Sequence, residues 1–510
     1  MAVKVYSAQV TGLNAHIVDV EADIIQGLHS FSVVGLPDKA VEESRDRISA
    51  AIKNSGFTSP KKKNQKITIS LAPADLKKEG PAFDLAMALA YLLAAKQINF
   101  IAENKIFLGE LALGGDLRPI KGILPLTQKA MKAGFKEIFL PRENAKEAAL
   151  IEGIKIYGCG SLKEITDHFS IQNNFNLNAQ NVTKINLDKL REDILFDFAD
   201  IKGQETAKRG LEIAAAGGHN ILMVGPAGTG KTMLAKAFPH ILPPLSFDEM
   251  LETTAIHSVA GALAGDFLIN RPFRSPHHTS SYVALVGGGA YPRPGEITLS
   301  HRGVLFLDEF PEFDRRVIEA MRQPLEDGLV NVSRARGTVS FPARFIMICA
   351  MNPCPCGNAS SKIKECICSQ GALMRYQRKI SGPIVDRIDL WLEVPQVDYN
   401  KLSDDSISGE SSEIIRERVI KAREKQRERF SKERGGKIIS NSEMGVKELK
   451  KFAPLGDKLK EVLNQAATRL NLSGRAYHRV IKLARTIADL AGEENIKQEH
   501  LLEALQYRPK

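Results

Sequence analysis

Along the first 168 residues, short apolar runs that fit strands alternate with longer stretches carrying apolar residues at helical spacing. "KITISLAP" (66–73) and "KIFLGELALGGDLRPI" (105–120) read as strands, the latter a pair joined at Gly114-Gly115. "PAFDLAMALAYLLAAK" (81–96) and "LPLTQKAMKAG" (124–134) read as helices. The pattern predicts an α+β or α/β domain over 1–168. "IQNNFNLNAQNVTKINLDK" is rich in Asn and Gln and lacks periodic apolar residues, so 169–196 is expected to be a linker.

The pattern changes after the linker. "GQETAKRGLEIAAAGG" (203–218) reads as a helix closed by glycines. "NILMV" (220–224), "GVLFLDE" (303–309) and "RFIMICA" (344–350) are continuous apolar runs, the mark of strands buried on both faces of a parallel sheet. With helical segments between them they predict a wound α/β core over 197–396. From 397 to 510 the chain turns helical and charged. "EIIRERVIKAREKQRERF" (413–430) has apolar residues at helical spacing but a mostly charged surface, which reads first as a solvated helix face and second as a DNA contact. "GRAYHRVIKLARTIADLAG" and "NIKQEHLLEALQYR" complete an all-α part.

A chain of 510 residues is too long for one core, which agrees with a multidomain reading. The formal charge of +10 and a pI near 9.1 favour a polyanionic partner such as nucleic acid. The start, "MAVKVYSAQV", lacks the apolar core of a signal peptide, and "FDLAMALAYLLAA" is too short to span a bilayer and carries Asp84. A cytoplasmic protein with no membrane contact is expected, with thiols reduced and clustered cysteines favouring metal over disulfides.

"GPAGTGKT" matches the phosphate-loop pattern G-x-x-x-x-G-K-[ST] in full, between a strand and a helix. Backbone N–H groups of Gly225, Pro226's neighbours Ala227 and Gly228, and then Thr229 and Gly230, suit phosphate oxygens. Lys231 would neutralise the β- and γ-phosphates, and Thr232 would ligate Mg²⁺. Asp308, ending an apolar strand, can reach the Mg²⁺ shell, and Glu309 beside it can polarise the attacking water. ATP and Mg²⁺ are therefore the expected cofactors, and ATP hydrolysis the expected reaction.

"DIKGQETAKRGLEIAAAGGHNILMVGPAGTGKT", "HRGVLFLDEF", "PARFIMICAMNPCPCG", "SGPIVDRIDL" and "LSGRAYHRVIKLARTIADL" together resemble the Mg-chelatase-like AAA+ ATPases, and within them the ComM/YifB branch. The resemblance covers essentially the whole chain. It implies an α/β multidomain protein: an AAA+ core with a parallel sheet, a helical lid, and an N-terminal Lon-protease-like domain of the ribosomal S5 domain 2-like fold. It implies that Asn352 senses the γ-phosphate, that Arg387 is the arginine finger serving a neighbouring subunit, and that Arg475 is the second sensor on the lid. The bland alternative for either arginine is a salt bridge. The family's form is a ring, usually hexameric. Two inserts, 257–300 and 326–345, would line its pore and bring Arg271, Arg274, His277 and His278 of the first and Arg334 and Arg336 of the second to DNA phosphates without reading sequence. Their alternative is a role in subunit contacts or nucleotide sensing. His277-His278, having no partner cluster, is not taken as a metal pair.

"KEGPAFDLAMALA" and "DLRPIKGILPLTQKAMKAGFKEIFLPREN" resemble the Lon peptidase domain. The nucleophile's place holds Ala82, and the position four beyond Gly122 holds Leu126, so no activated nucleophile and base remain. "SPKKKNQK" (59–66) is a basic loop that suits phosphate contact or plain solvation. The ComM-like resemblance implies a hexameric DNA helicase that promotes branch migration when single-stranded DNA is integrated by homologous recombination in natural transformation. A Mg-chelatase motor subunit, an ATP-dependent protease and a non-catalytic DNA-binding scaffold are the alternatives.

Four of the six cysteines fall in C-x-C-x9-C-x-C: Cys354, Cys356, Cys366 and Cys368. Four thiolates suit tetrahedral, structural Zn²⁺, although C-x-C is tighter than the usual C-x₂-C. A reduced cluster and redox pairs stay open as alternatives. Cys349 and Cys159 are expected to pack in the core.

Overall fold

Strands that must bury both faces are continuous apolar runs, and three such runs meet side by side in the second half of the chain. The computed structural model describes residues 2–170, 175–183, 196–289, 292–334, 337–359, 364–397, 409–431 and 438–509. It divides into two units, Met1–Leu187 with Phe247–Leu268, and Asp188–Ser246 with Ile269–Lys510.

The second unit holds a five-stranded sheet in the order Phe273–Arg274, Val304–Leu307, Ile346–Met351, Ile221–Val224, Leu390–Glu393, with every neighbouring pair parallel. The expected α/β class and parallel sheet are present. All residues of Val304–Leu307 and Ile346–Met351 are buried, Cys349 among them. Helix Glu205–Gly217 ends where Gly218 adopts φ 72°, a left-handed cap that the double glycine allows. Beyond residue 396 the described elements are helices, chiefly Ser412–Phe430, Asp457–Arg469, Gly474–Leu490 and Gln498–Gln506.

Helix Ser412–Phe430 turns Ile415, Val419, Ala422 and Phe430 into the same core as the sheet strands and leaves Glu413, Glu417, Lys421 and Glu428 exposed, so its charged surface is a solvated face over an apolar side. Some of its polar residues also bond inward. Arg423 donates to the Ala215 carbonyl at 2.9 Å and Gln426 to the Ala216 carbonyl at 2.9 Å, which satisfies acceptors at the end of Glu205–Gly217. Arg418 bridges Glu212 at 2.6 Å and Glu410 at 2.7 Å.

The first unit has a four-stranded sheet in the order Val3–Thr11, Asn14–Gln26, Gln65–Ala72, Ser30–Val34, and a three-stranded parallel sheet of Lys105–Phe107, Glu137–Pro141 and Lys155–Cys159. Glu110–Leu111 and Leu117–Arg118 form a small hairpin around Gly114-Gly115. Helix Asp84–Ala94 is buried from Asp84 to Leu92. Burial raises the Asp84 carboxyl, opposed by Arg47 at 2.9 Å and by Ser44. Its apolar run is a core helix, and no helix among the described residues is long and apolar enough to cross a membrane. Cys159 is buried, with its thiol pushed up to about 12 by desolvation.

Segment Phe247–Leu268 follows the phosphate-loop helix in sequence but packs in the first unit. Ser258 Oγ accepts the Gly122 N–H at 3.0 Å, and the buried Glu147 accepts the Leu124 N–H at 3.2 Å while also bonding Ser258. Desolvation raises Glu147 to about 7, against these hydrogen bonds. The folded carboxyl binds its proton more tightly than the unfolded one, so stability is full below the ordinary value of 4.5 and declines as pH rises to about 7. The decline is expected to reach about 3 kcal/mol at most. Glu147→Gln should flatten it. Hydrogen exchange along Ile123–Lys132 between pH 5 and 8 checks this: protection that falls equally in wild type and variant would contradict it.

Candidate nucleotide site

The phosphate loop leaves strand Ile221–Val224 through a position only glycine can fill. A Cβ on Gly225 would lie 2.1 Å from the Val394 carbonyl oxygen. Gly228 and Gly230 take φ of 76° and 89°, the left-handed region that the curl needs. Thr229 Oγ1 donates to the Pro226 carbonyl at 3.0 Å, closing the turn over Ala227. Helix Lys231–Ala237 follows.

Lys231 Nζ donates to the carbonyls of Gly225 and Pro226, each at 2.7 Å, and to Asn352 Oδ1 at 3.3 Å. Burial lowers its pKa, and Asp308 partly restores it. Thr232 Oγ1 donates to Asp308 Oδ2 at 2.9 Å. Adjacent ligands of an octahedral Mg²⁺ with oxygens at about 2.0–2.1 Å are themselves about 2.9 Å apart, so this pair fits the ion.

Glu309 has φ 50°, a left-handed conformation that costs a non-glycine residue about 1–3 kcal/mol. Its Oε2 lies 3.0 Å from His278 Nδ1. His278 packs on His277 with ring centroids 4.2 Å apart. The sequence places His278 with the cations of the first insert and gives it no link to Glu309. The strand before it, Phe273–Arg274, neighbours Val304–Leu307 in the sheet, and that adjacency carries it to Glu309. Tyr376 is a second residue whose link spacing does not reveal. It is buried in helix Gln370–Gln377, and its hydroxyl accepts the Asn352 backbone N–H. Burial and the nearby Glu312 push that hydroxyl up to about 12.

Lys231 is thus bonded to Asn352 and Thr232 to Asp308, with Glu309 next to Asp308. The arginines lie in other surroundings. Arg387 is buried, donates to the Pro383 carbonyl at 2.7 Å and pairs with Glu326. Arg475 reaches the same Glu326 at 3.4 Å. Arg271 donates to the carbonyls of Pro243 and Arg302, each at 2.6 Å, and Arg274 holds Glu296 with both arms at 2.6 and 2.7 Å. Arg334 ends strand Leu329–Arg334, and Arg336 lies outside the described residues.

The sulfurs of Cys354, Cys356, Cys366 and Cys368 lie within 4.8 Å of one another. Cys354 and Cys356 are 3.3 Å apart, and Cys366 is 3.7 Å from each. Ligands on a tetrahedral zinc with Zn–S of about 2.3 Å stand about 3.8 Å apart, so the group can hold such an ion. N–H groups of Asn358 and Ile367 lower the Cys356 thiol to about 6, whereas the sulfurs around them raise those of Cys366 and Cys368, so Cys356 is the readiest thiolate of these three. Residues 360–363, at the tip of this insert, lie outside the described residues.

The chain also has recognisable relatives. Residues 197–402 match the family model described as magnesium chelatase, subunit ChlI; residues 20–144 and 409–508 match its ChlI and C-terminal models. The chain is 43% identical to the competence protein ComM of Haemophilus influenzae, over 99% of this chain and 97% of that protein. It is 43% identical to YifB of Salmonella typhimurium, over 99% and 96% of the two chains. A magnesium-chelatase subunit ChlI of Guillardia theta is 26% identical over 33% of this chain and 55% of its own length.

Glu309→Gln should leave ATP binding intact and slow turnover by about 10²–10⁴-fold, the usual contribution of a general base. His278→Ala should alter turnover with nucleotide affinity unchanged. Phosphate release alongside titration with a fluorescent ATP analogue measures both; wild-type turnover in Glu309→Gln would contradict the assignment.

Proposed function

The chain belongs to the ComM/YifB family of Mg-chelatase-like AAA+ proteins, and from that premise we propose that it is an ATP-driven motor on DNA. The proposed assembly is a cytoplasmic hexameric ring, acting as a helicase that promotes branch migration during homologous recombination in natural transformation. The observation that carries this reading is the two hydrogen-bonded pairs Lys231–Asn352 and Thr232–Asp308 with Glu309 beside them, in a chain 43% identical to a competence protein along nearly its whole length.

Each group then has a chemical task. The loop Gly225–Gly230 and Lys231 hold the triphosphate, while Thr232 and Asp308 hold Mg²⁺, which would neutralise charge developing on the phosphates. Glu309 orients and deprotonates water. Asn352, tied to Lys231 and braced by Tyr376, registers the γ-phosphate. Arg387 and Arg475 supply positive charge to the transition state, Arg387 to a neighbouring subunit's nucleotide. Helices after residue 409 serve as the lid. Arg271, Arg274, Arg334 and Arg336 belong to the inserts that face DNA. For Arg271 and Arg274 this requires exchange of their present carbonyl and carboxylate partners for phosphate.

The N-terminal domain is read as a Lon-protease-like fold without peptidase chemistry, because Ala82 carries no nucleophile and the buried Leu126 no base. Zinc on the four cysteines is read as a structural staple between the Asn352 strand and the Tyr376 helix. Cys354→Ser with Cys356→Ser should release about one zinc per chain, measured by atomic emission, and weaken assembly or DNA-stimulated hydrolysis. Unchanged zinc content in that variant would contradict the staple.

A magnesium-chelatase motor subunit is the second reading, favoured by the match of residues 197–402 to that family model. Strand displacement on three- and four-way junctions separates the two readings. Wild type with ATP should displace strand, and Glu309→Gln should not. Equal displacement by both, or none by either, overturns the branch-migration motor.

A further inference from the structure

The two arginines assigned above to the nucleotide converge, in the single chain, on one carboxylate. Glu326 sits near the end of the short helix Arg322–Asp327. Its Oε2 accepts from Arg387 Nη2, and its Oε1 accepts from Arg475 Nη2 at 3.4 Å. The Arg387 side chain is only 8% exposed, whereas Glu326 is 53% exposed and open to an approaching neighbour. Among the described residues, the Arg387 side chain donates besides Glu326 only to the Pro383 carbonyl, and its Nε makes no hydrogen bond. A guanidinium this buried needs an anion, so Glu326 is what allows Arg387 to rest inside its own subunit. Arg475, 59% exposed, is the loosely held arm of the pair.

We propose that Glu326 is an intrachain latch that holds Arg387 and Arg475 away from nucleotide until a second copy of the chain docks. Because it rests on the reading of Arg387 as a residue acting on a neighbour's nucleotide, the latch makes hydrolysis depend on assembly in a specific way. A triphosphate presented by the neighbour carries more negative charge than one carboxylate and offers several oxygens to the same guanidinium. Docking therefore exchanges Glu326 for phosphate. The exchange is reciprocal: whatever loosens Glu326 favours the docked arrangement, and nucleotide in the neighbour loosens Glu326. Glu326 is a positioning residue, since it acts through the two arginines and touches no reacting atom.

ATP turnover per subunit, measured against subunit concentration for the full chain, tests this. Wild type should rise through a midpoint as copies assemble. Glu326→Gln, similar in shape but uncharged, should move that midpoint at least about tenfold lower. Glu326→Asp, charged but shorter, should move it the same way by a smaller factor. A purely structural role predicts lower melting temperature and lower turnover at every concentration with the midpoint unmoved. Arg387→Ala distinguishes the two levels of failure. If Arg387→Ala loses turnover while neither Glu326 variant shifts the midpoint, the latch is overturned and the reading of Arg387 stands. If Arg387→Ala hydrolyses ATP like wild type, that reading falls and the latch falls with it.

Discussion

Asn220, the residue before the phosphate-loop strand, bonds with all four of its polar groups to the two strands beside it. Its N–H donates to Asp389 Oδ2 at 3.0 Å, and its carbonyl accepts from Asp389 and Leu390 at 2.9 and 3.1 Å. Its side chain accepts from the Met347 N–H at 2.9 Å and donates to the Arg387 carbonyl at 3.2 Å. Each bond contributes about 1 kcal/mol, but their geometric effect is larger. They set the phosphate-loop strand in register with its two neighbours, Ile221 beside Ile348 and Leu390, so that Val224 ends beside Met351 and the phosphate loop and Asn352 leave the sheet side by side. Asp308 with Glu309 follows the next strand, Val304–Leu307, whose own pairing with Ile346–Met351 sets its register. Burial opposes the charge of Asp389, yet Arg479, His219 and the Asn220 N–H hold its carboxyl well below the usual range. Through Arg479 the same tie reaches the helix Gly474–Leu490, which also carries Arg475.

A formal charge of +10 does not translate into a uniformly basic surface. Arg429 and Arg485 pair with buried Asp489, Arg479 with Asp389, Arg274 with Glu296 and Arg387 with Glu326. Such pairs tie elements together at little net gain, because both charges lose water. Binding of a polyanion by these residues means trading one anion for another. That trade is a natural switch: a site that is quiet in one chain becomes cationic when a stronger anion arrives.

The sheet was legible because strands buried on both faces must be continuous apolar runs, as "NILMV", "GVLFLDE" and "RFIMICA" are. The phosphate loop was legible because its backbone path needs Gly225, Gly228 and Gly230. The strand Val3–Thr11 was not read, since buried Ser7 and Gln9 break the apolar alternation. Those side chains bond the distant carbonyls of Phe107 and Lys77, partners no local window contains. The links made by His278, Tyr376 and Glu326 escaped for a related reason. Each gains its meaning from a neighbour brought by sheet order or helix packing, and each is ordinary in its own stretch of sequence. Helix Ser412–Phe430 was legible on both sides: its apolar positions at helical spacing face the core and its charged ones face solvent.

The central claim is that one chain holds the nucleotide and a second completes its site. Mixing two inactive variants tests it directly: Lys231→Ala, which lacks the phosphate grip, and Arg387→Ala, which lacks the cation for a neighbour. Each alone should hydrolyse no ATP. Mixed, they should regain turnover, since an intact Lys231 in one chain then meets an intact Arg387 from the next. A mixture as inactive as its components would contradict the account.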